Sequence, residues 1–189
     1  MAKFKVAVVV GSNRRESVNR KLAQALTRLG ADKFAFSFIQ IDDLSLYNQD
    51  LEGELPKTVV RFKSEIAASD GLLFVTPEHN RSIPTVLKNA IDWGARPYGQ
   101  NSWNGKPAAI TGTSPGALGT AVAQQHLRQV LGNLGVLVMG GEAYVAFKPG
   151  LIDADGAITD ESTRKFLNAF IDQFATLVAR FADPARVAA

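Results

Sequence analysis

Apolar runs and amphipathic stretches alternate along this chain, and that alternation is its tightest constraint. Short apolar runs fall at Phe4–Val10, Phe34–Ile41, Gly71–Thr76 and Pro107–Thr113, with a last one at Val136–Gly140 continued by Ala143–Phe147. Between them, apolar residues recur at helical spacing over Val18–Leu29, Pro56–Ala68, Ile83–Trp93 and Thr120–Leu134, and again over Glu161–Phe181. Strand alternating with helix builds βαβ units, hence a parallel sheet with helices on both faces. The run GLLFV at 71–75 is apolar enough for a central strand buried on both sides. In the last helix Phe166, Phe170, Phe174, Leu177, Val178 and Phe181 fall at three- and four-residue spacing, which predicts one core-facing stripe.

Five strands and five helices in 189 residues predict one domain over 1–189. With right-handed crossovers, they fit an α/β, doubly wound, flavodoxin-like sandwich with a five-stranded parallel sheet in the order 2-1-3-4-5. Such sheets bind ligands outside the carboxyl ends of the strands, where the winding reverses. The loops that count are then 11–19, 77–82 and 113–119.

The first of them, GSNRRES, raises a question of charge. Arg14, Arg15, Arg20 and Lys21 surround the start of a helix, against one counter-charge in Glu16. A helix N-terminus is already partly positive and prefers acids. The cations make sense if an external anion sits there, on unpaired backbone N–H groups. Ser12, Ser17 and Asn19 add donors, and Arg14 adds a fork suited to phosphate oxygens. Ser17 also reads as a plain N-cap, although the Glu or Gln of a capping box is replaced by Arg20. The loop carries neither the Walker nor the dinucleotide glycine pattern.

The second loop, TPEHNRSIP, crowds Glu78, His79, Asn80 and Arg81 at a strand end, where they suit the polar edge of a flat heterocycle. Pro77 stiffens the exit from the strand. Ser82 followed by Ile83 and Pro84 reads as a helix start, and both roles are compatible. The third loop, GTSPGALGT, contains G-x-S-x-G around Ser114. A hydrolase is rejected, because Pro115 lacks the N–H an oxyanion hole needs and no suitable histidine follows. Gly116 and Gly119 instead let backbone approach a planar ligand.

Composition removes other classes. A net charge of +3 with no long basic block gives no case for nucleic acid. The absence of cysteine excludes disulfides, thiol nucleophiles and thiolate-bound metals. His79 and His126 lack companions at ligand spacing, and DADG at 153–156 lacks the calcium-loop pattern, so no metal is expected. No apolar run approaches the roughly 18 residues of a membrane span, and no signal-type segment opens the chain. The expected setting is the cytoplasm. The stretch GARPYGQNSWNG, with Trp93 before it and Tyr98 and Trp103 within it, reads either as a self-packed loop or as a subunit interface or lid over the ligand.

These motifs together resemble a family. GSNRRESVNRKLA resembles the G-S-x-R-x-x-S-x-N phosphate loop of the NAD(P)H-dependent FMN reductases. PEHNRSIPTVLKNAIDW resembles their P-E-Y-N-x-S-[IV]-P-x-x-L-K-N-A-I-D-W segment. SPGALG, QHLRQVL and DADGAITDESTRKFLNAFIDQF are similar to later segments, and the likeness is greatest to bacterial quinone and chromate reductases. The resemblance implies bound FMN and NADPH or NADH as electron donor. Ser12, Arg14, Ser17, Val18 and Asn19 would hold the phosphate. Pro77, Glu78, His79, Asn80 and Ser82 would border the isoalloxazine, with Ser114 and Gly116 closing the other side. It implies hydride transfer to FMN, then two electrons to quinones, chromate, azo compounds, ferric complexes or free flavin, with no catalytic acid or base. It also implies a homodimer or homotetramer, for which Leu87, Ile91, Trp93, Val122, Leu127 and Val130 look like surplus apolar positions. The family commonly has Tyr where this chain has His79, and often Tyr where it has Arg81. Arg81 would favour an anionic acceptor or the 2′-phosphate of NADPH. The rival readings are a one-electron flavodoxin, which the basic pI near 9.3 disfavours, and a flavin-free docking protein on the same fold.

Overall fold

A computed structural model of the chain describes residues 3–182. Its strands are β1 (Phe4–Val10), β2 (Phe34–Phe38), β3 (Gly71–Val75), β4 (Pro107–Ser114), β5 (Leu137–Val138) and β6 (Tyr144–Ala146). Its helices are α1 (Val18–Leu29), α2 (Lys57–Ala67), α3 (Thr85–Ala95), α4 (Ala121–Asn133) and α5 (Glu161–Phe181). The sheet runs β2-β1-β3-β4-β5, all parallel, and β6 pairs with β4 beyond β5. This is the expected doubly wound order. The fifth position is split: β5 pairs with Pro107 and Ala108, and β6 with Gly112 to Ser114.

Strand alternation divides the core. Val6, Val8 and Val10 face α1 and α5, packing on Leu22, Leu26, Phe170 and Phe174. Ala7 and Val9 face the other way, into a layer that holds Phe62, Leu87, Ile91 and Leu127 from α2, α3 and α4. β3 is buried at every residue, as a central strand requires.

Several boundaries move. β2 ends at Phe38 and not at Ile41: the Ile39 N–H makes a last bond to the Val8 carbonyl at 3.0 Å, and Ile41 and Leu44 then run past the ladder yet stay buried against the second face. α3 begins at Thr85 and not at Ile83, because residues 79–82 are held in a tight turn and Pro84 is extended with ψ 148°. The α5 stripe holds at Phe170, Phe174 and Val178, but Phe166 and Phe181 are 46% and 52% exposed, since a straight helix drifts off any strict repeat.

Two expectations about surfaces change. Of the six apolar positions that looked surplus, Leu87, Ile91, Trp93 and Leu127 are fully buried within the chain's own core and supply no outward face, while Val122 and Val130 are half-buried. Trp93 and Trp103 are likewise fully buried, whereas Tyr98 is 91% exposed. That aromatic loop follows the carboxyl end of α3 and leads into the start of β4, so it lies at the end of the sheet opposite the ligand loops. The Lys63 ammonium pins it, donating to the carbonyls of Gly94, Arg96 and Gln100. It is a packed loop and no lid for this chain's ligand edge. Among the described residues no helix is long and apolar enough to cross a membrane, and no cluster of metal-binding side chains occurs.

Candidate active site

The central strands end together. Val10 is in register with Val75, the Gly11 N–H donates to the Val75 carbonyl at 2.9 Å, and the Thr76 N–H donates to the Thr111 carbonyl at 3.0 Å. Gly112 makes this crowding possible: a Cβ there would lie 2.0 Å from the Thr76 carbonyl oxygen. The three ligand loops therefore leave from one edge.

Loop 12–19 is built to give hydrogen bonds away. Among the described residues only one backbone N–H from Ser12 to Asn19 finds an acceptor, that of Arg14, on the Ser12 hydroxyl at 3.4 Å. Ser17 is the N-cap of α1, and its Oγ accepts the Arg20 N–H at 3.2 Å. The hydroxyl proton is still free to donate, so capping and anion binding coexist. The first turn of α1 contains no acid. Glu16 pairs with Lys21 at 3.4 Å, while Arg14, Arg15 and Arg20 are exposed with no ion-pair partner among the described residues.

Asn19 faces inward. Its Nδ2 donates to the Thr113 carbonyl and its Oδ1 accepts the Thr113 N–H, both at 2.9 Å. The side chain thus bolts α1 to the end of β4, and what Asn19 offers a ligand is its backbone N–H.

The loop after β3 closes on itself. His79 and Ser82 exchange both backbone hydrogen bonds, at 3.0 and 2.9 Å, around Asn80 and Arg81. Those two residues have φ of 50° and 62°, the backbone of a type I′ turn, which asparagine tolerates and arginine does not favour. Glu78 accepts from Arg81 at 2.9 Å, so part of the guanidinium is already committed within the loop. The Ser82 Oγ lies 3.2 Å from His126 Nδ1 on α4. His79 and Asn80 are exposed, their side chains free to meet a ligand. In the third loop the Ser114 hydroxyl donates to the Gly119 carbonyl, and Gly119 takes a φ of 56°. Gly116 keeps a negative φ, and a Cβ there would meet only Ser114 Oγ, at 3.6 Å.

A family model described as NADPH-dependent FMN reductase matches residues 4–150. The chain belongs to that family. It is 52% identical over 176 residues to a 2-hydroxy-1,4-benzoquinone reductase of a Burkholderia species, covering 93% of this chain and 96% of that one. It is 51% identical over 177 residues to a quinone reductase of Pseudomonas putida, covering 93% and 95%. Among solved structures it is similar to FerB, a flavoenzyme NAD(P)H:(acceptor) oxidoreductase of Paracoccus denitrificans, with TM-score 0.92, 46% identity, and coverage of 95% and 100%.

The protein is accordingly an oxidoreductase that uses FMN, with NAD(P)H as donor. The one-electron carrier and the flavin-free docking protein give way to an enzyme. The residues fit that cofactor: N–H groups and arginines without partners among the described residues, and a serine hydroxyl with a proton to donate, suit a terminal phosphate, in a first turn that brings no carboxylate of its own.

Proposed function

We propose that this protein is a two-electron NAD(P)H:quinone reductase with FMN seated at the three-loop edge. Bound FMN supplies the chemistry, hydride acceptance from NAD(P)H and two-electron delivery to an oxidised acceptor. The observation that carries the reading is the acid-free first turn of α1 with its unpaired N–H groups, beside two further loops on one sheet edge.

In this reading the backbone N–H groups of Val18 and Asn19, the hydroxyls of Ser12 and Ser17, and Arg14 hold the phosphate. Pro77 to Asn80 and Ser82 border the ring, the exposed His79 and Asn80 facing incoming molecules. Ser114 and Gly116 close the opposite side. No residue is given a proton-transfer role. Acceptor choice is broad, because a flat oxidised ring is held by stacking with few side chains left to discriminate. Quinones are the main class, with chromate, azo compounds, ferric complexes and free flavin as further acceptors. Arg81 adds a bias toward anionic acceptors or NADPH through the part of its guanidinium that Glu78 leaves free. A cytoplasmic homodimer or homotetramer rests on the family resemblance alone, since the α3 and α4 leucines point inward.

One edge means one opening. Donor and acceptor use it in turn, and NAD(P)⁺ leaves before the acceptor enters. Initial rates against NADPH at several benzoquinone concentrations give parallel double-reciprocal lines, with hydroquinone as product and little semiquinone. Intersecting lines would show both molecules bound at once and end the one-opening scheme.

A further inference from the structure

Glu78 is the most enclosed charged group of the ligand loops. Its side chain is 9% exposed, and both carboxylate oxygens are occupied. Oε1 accepts from the Arg81 guanidinium at 2.9 Å, and Oε2 accepts the backbone N–H of Ala123 at 3.1 Å. Ala123 is the third residue of α4, and its N–H is the donor that an N-cap side chain ordinarily satisfies. Thr120 occupies the N-cap position but makes no such bond. Its Oγ1 accepts instead from the Gln124 amide, at 2.9 Å. The cap of α4 therefore comes from a residue 45 positions upstream, on the loop after β3. A carboxylate there also faces the positive end of the helix.

The same carboxylate holds the other side. Arg81 adopts a left-handed backbone, with φ of 62°, and returns its side chain to Glu78 across the turn. α4 itself begins directly after the loop that follows β4. One side chain thus fastens two of the three ligand loops together. The contact between Ser82 and His126, at 3.2 Å, is a second tie one turn further along α4.

We propose that Glu78 is a positioning residue: its carboxylate sets the gap between the loop after β3 and the first turn of α4, and so the slot that takes the FMN ring, without touching the ring. The proposal rests on the FMN reading above and changes the part Glu78 plays in it. A group with both oxygens engaged inside the protein has little left for the edge of a heterocycle.

Two variants test it. Glu78→Gln keeps the size and one acceptor oxygen but loses the charge and the second acceptor. Arg81→Gly removes the guanidinium and relaxes the left-handed backbone. Three readouts are needed: amide exchange of the Ala123 N–H in the apoprotein by NMR, FMN affinity by quenching of flavin fluorescence, and the visible circular dichroism of bound FMN. Glu78→Gln is expected to speed Ala123 exchange and weaken FMN binding about tenfold, roughly one charge-assisted hydrogen bond, and to alter the dichroism. Arg81→Gly is expected to leave Ala123 exchange unchanged and to weaken FMN less. The double variant should match Glu78→Gln alone, because both act through one carboxylate. Faster Ala123 exchange with unchanged FMN affinity and dichroism would make Glu78 a helix cap only and overturn the proposal. Weaker FMN binding with unchanged Ala123 exchange would place Glu78 on the ring itself and overturn it too. Wild-type protein that takes up no FMN would overturn the cofactor reading instead, and Ala123 exchange in the apoprotein would tell that failure apart.

Discussion

α1 and α5 lie on the same face of the sheet and start at the same edge, yet their first turns are opposites. α5 opens on Asp160, whose carboxylate accepts the Thr163 N–H and the Ser162 hydroxyl, both at 2.7 Å, and Glu161 follows. α1 opens on a neutral serine, with no acid in its first turn and three arginines around it that have no ion-pair partner among the described residues. The same physics governs both ends: a helix N-terminus attracts negative charge. α5 supplies that charge from its own sequence. α1 supplies none, and in the proposed reading the FMN phosphate provides it. A phosphate bound there, as proposed, would answer the charge question posed by GSNRRES, since cations that burden an empty helix end stabilise one that receives a phosphate.

The comparison breaks most sharply if α1 is given the kind of cap α5 has. Ser17→Asp should raise the FMN dissociation constant about a hundredfold or more, the size of a charged hydrogen bond lost near 3 kcal/mol. The apoprotein should gain about 0.5 kcal/mol from the new charge at the helix end. Fluorescence titration and urea unfolding of the apoprotein measure the two effects. Unchanged affinity would mean that phosphate does not sit on α1.

Removing a cation is a milder change. Arg14→Ala should weaken FMN about tenfold to a hundredfold, from a charge-assisted contact of roughly 1.5–3 kcal/mol. Apoprotein stability should hold or rise slightly, because a positive charge leaves a positive helix end. Affinity equal to wild type would transfer the role to Arg15.

The smallest effect belongs to α5. Hydrogen bonds from Thr163 and Ser162 lower the Asp160 pKa from its ordinary 3.8 to about 2. A folded-state pKa below the unfolded one contributes stability above the unfolded value, which disappears as pH falls through the folded one. The melting-temperature gap between wild type and Asp160→Asn should therefore be present at pH 5 to 7, close between about pH 4 and 2, and leave FMN affinity at pH 7 untouched. A gap that persists at the same size below that range would remove the charge from the explanation.

Element order was legible in the sequence because burial alone writes it: β3 and the α1 stripe need no partner to be recognised. Ends were less legible. Ile39 and Ile41 remain buried apolar residues past the last paired residue, Phe38, so composition cannot mark where pairing ends. In the ligand loops, residue type carried the anion reading of 12–19 and the cap at Ser17, both local properties. The partners of Asn19 and Glu78 lie 94 and 45 residues away, on backbone groups that leave no trace in residue identity. Arg81 was equally opaque, because arginine gives no sign of a positive φ.

The split fifth position of the sheet has a consequence for handling the protein at high concentration. A long, straight outer strand offers a row of free N–H and C=O groups on which another molecule can zip up and begin a fibril. Here the outer ladder is two residues, then an interruption, then three. Arg128 braces the interruption by donating to the carbonyls of Met139 and Gly141, so the bend is held from inside. Neither fragment is long enough to seed strand addition, so this edge of the sheet is closed to that route to precipitation. Loosening the brace at Arg128 would open this edge to it.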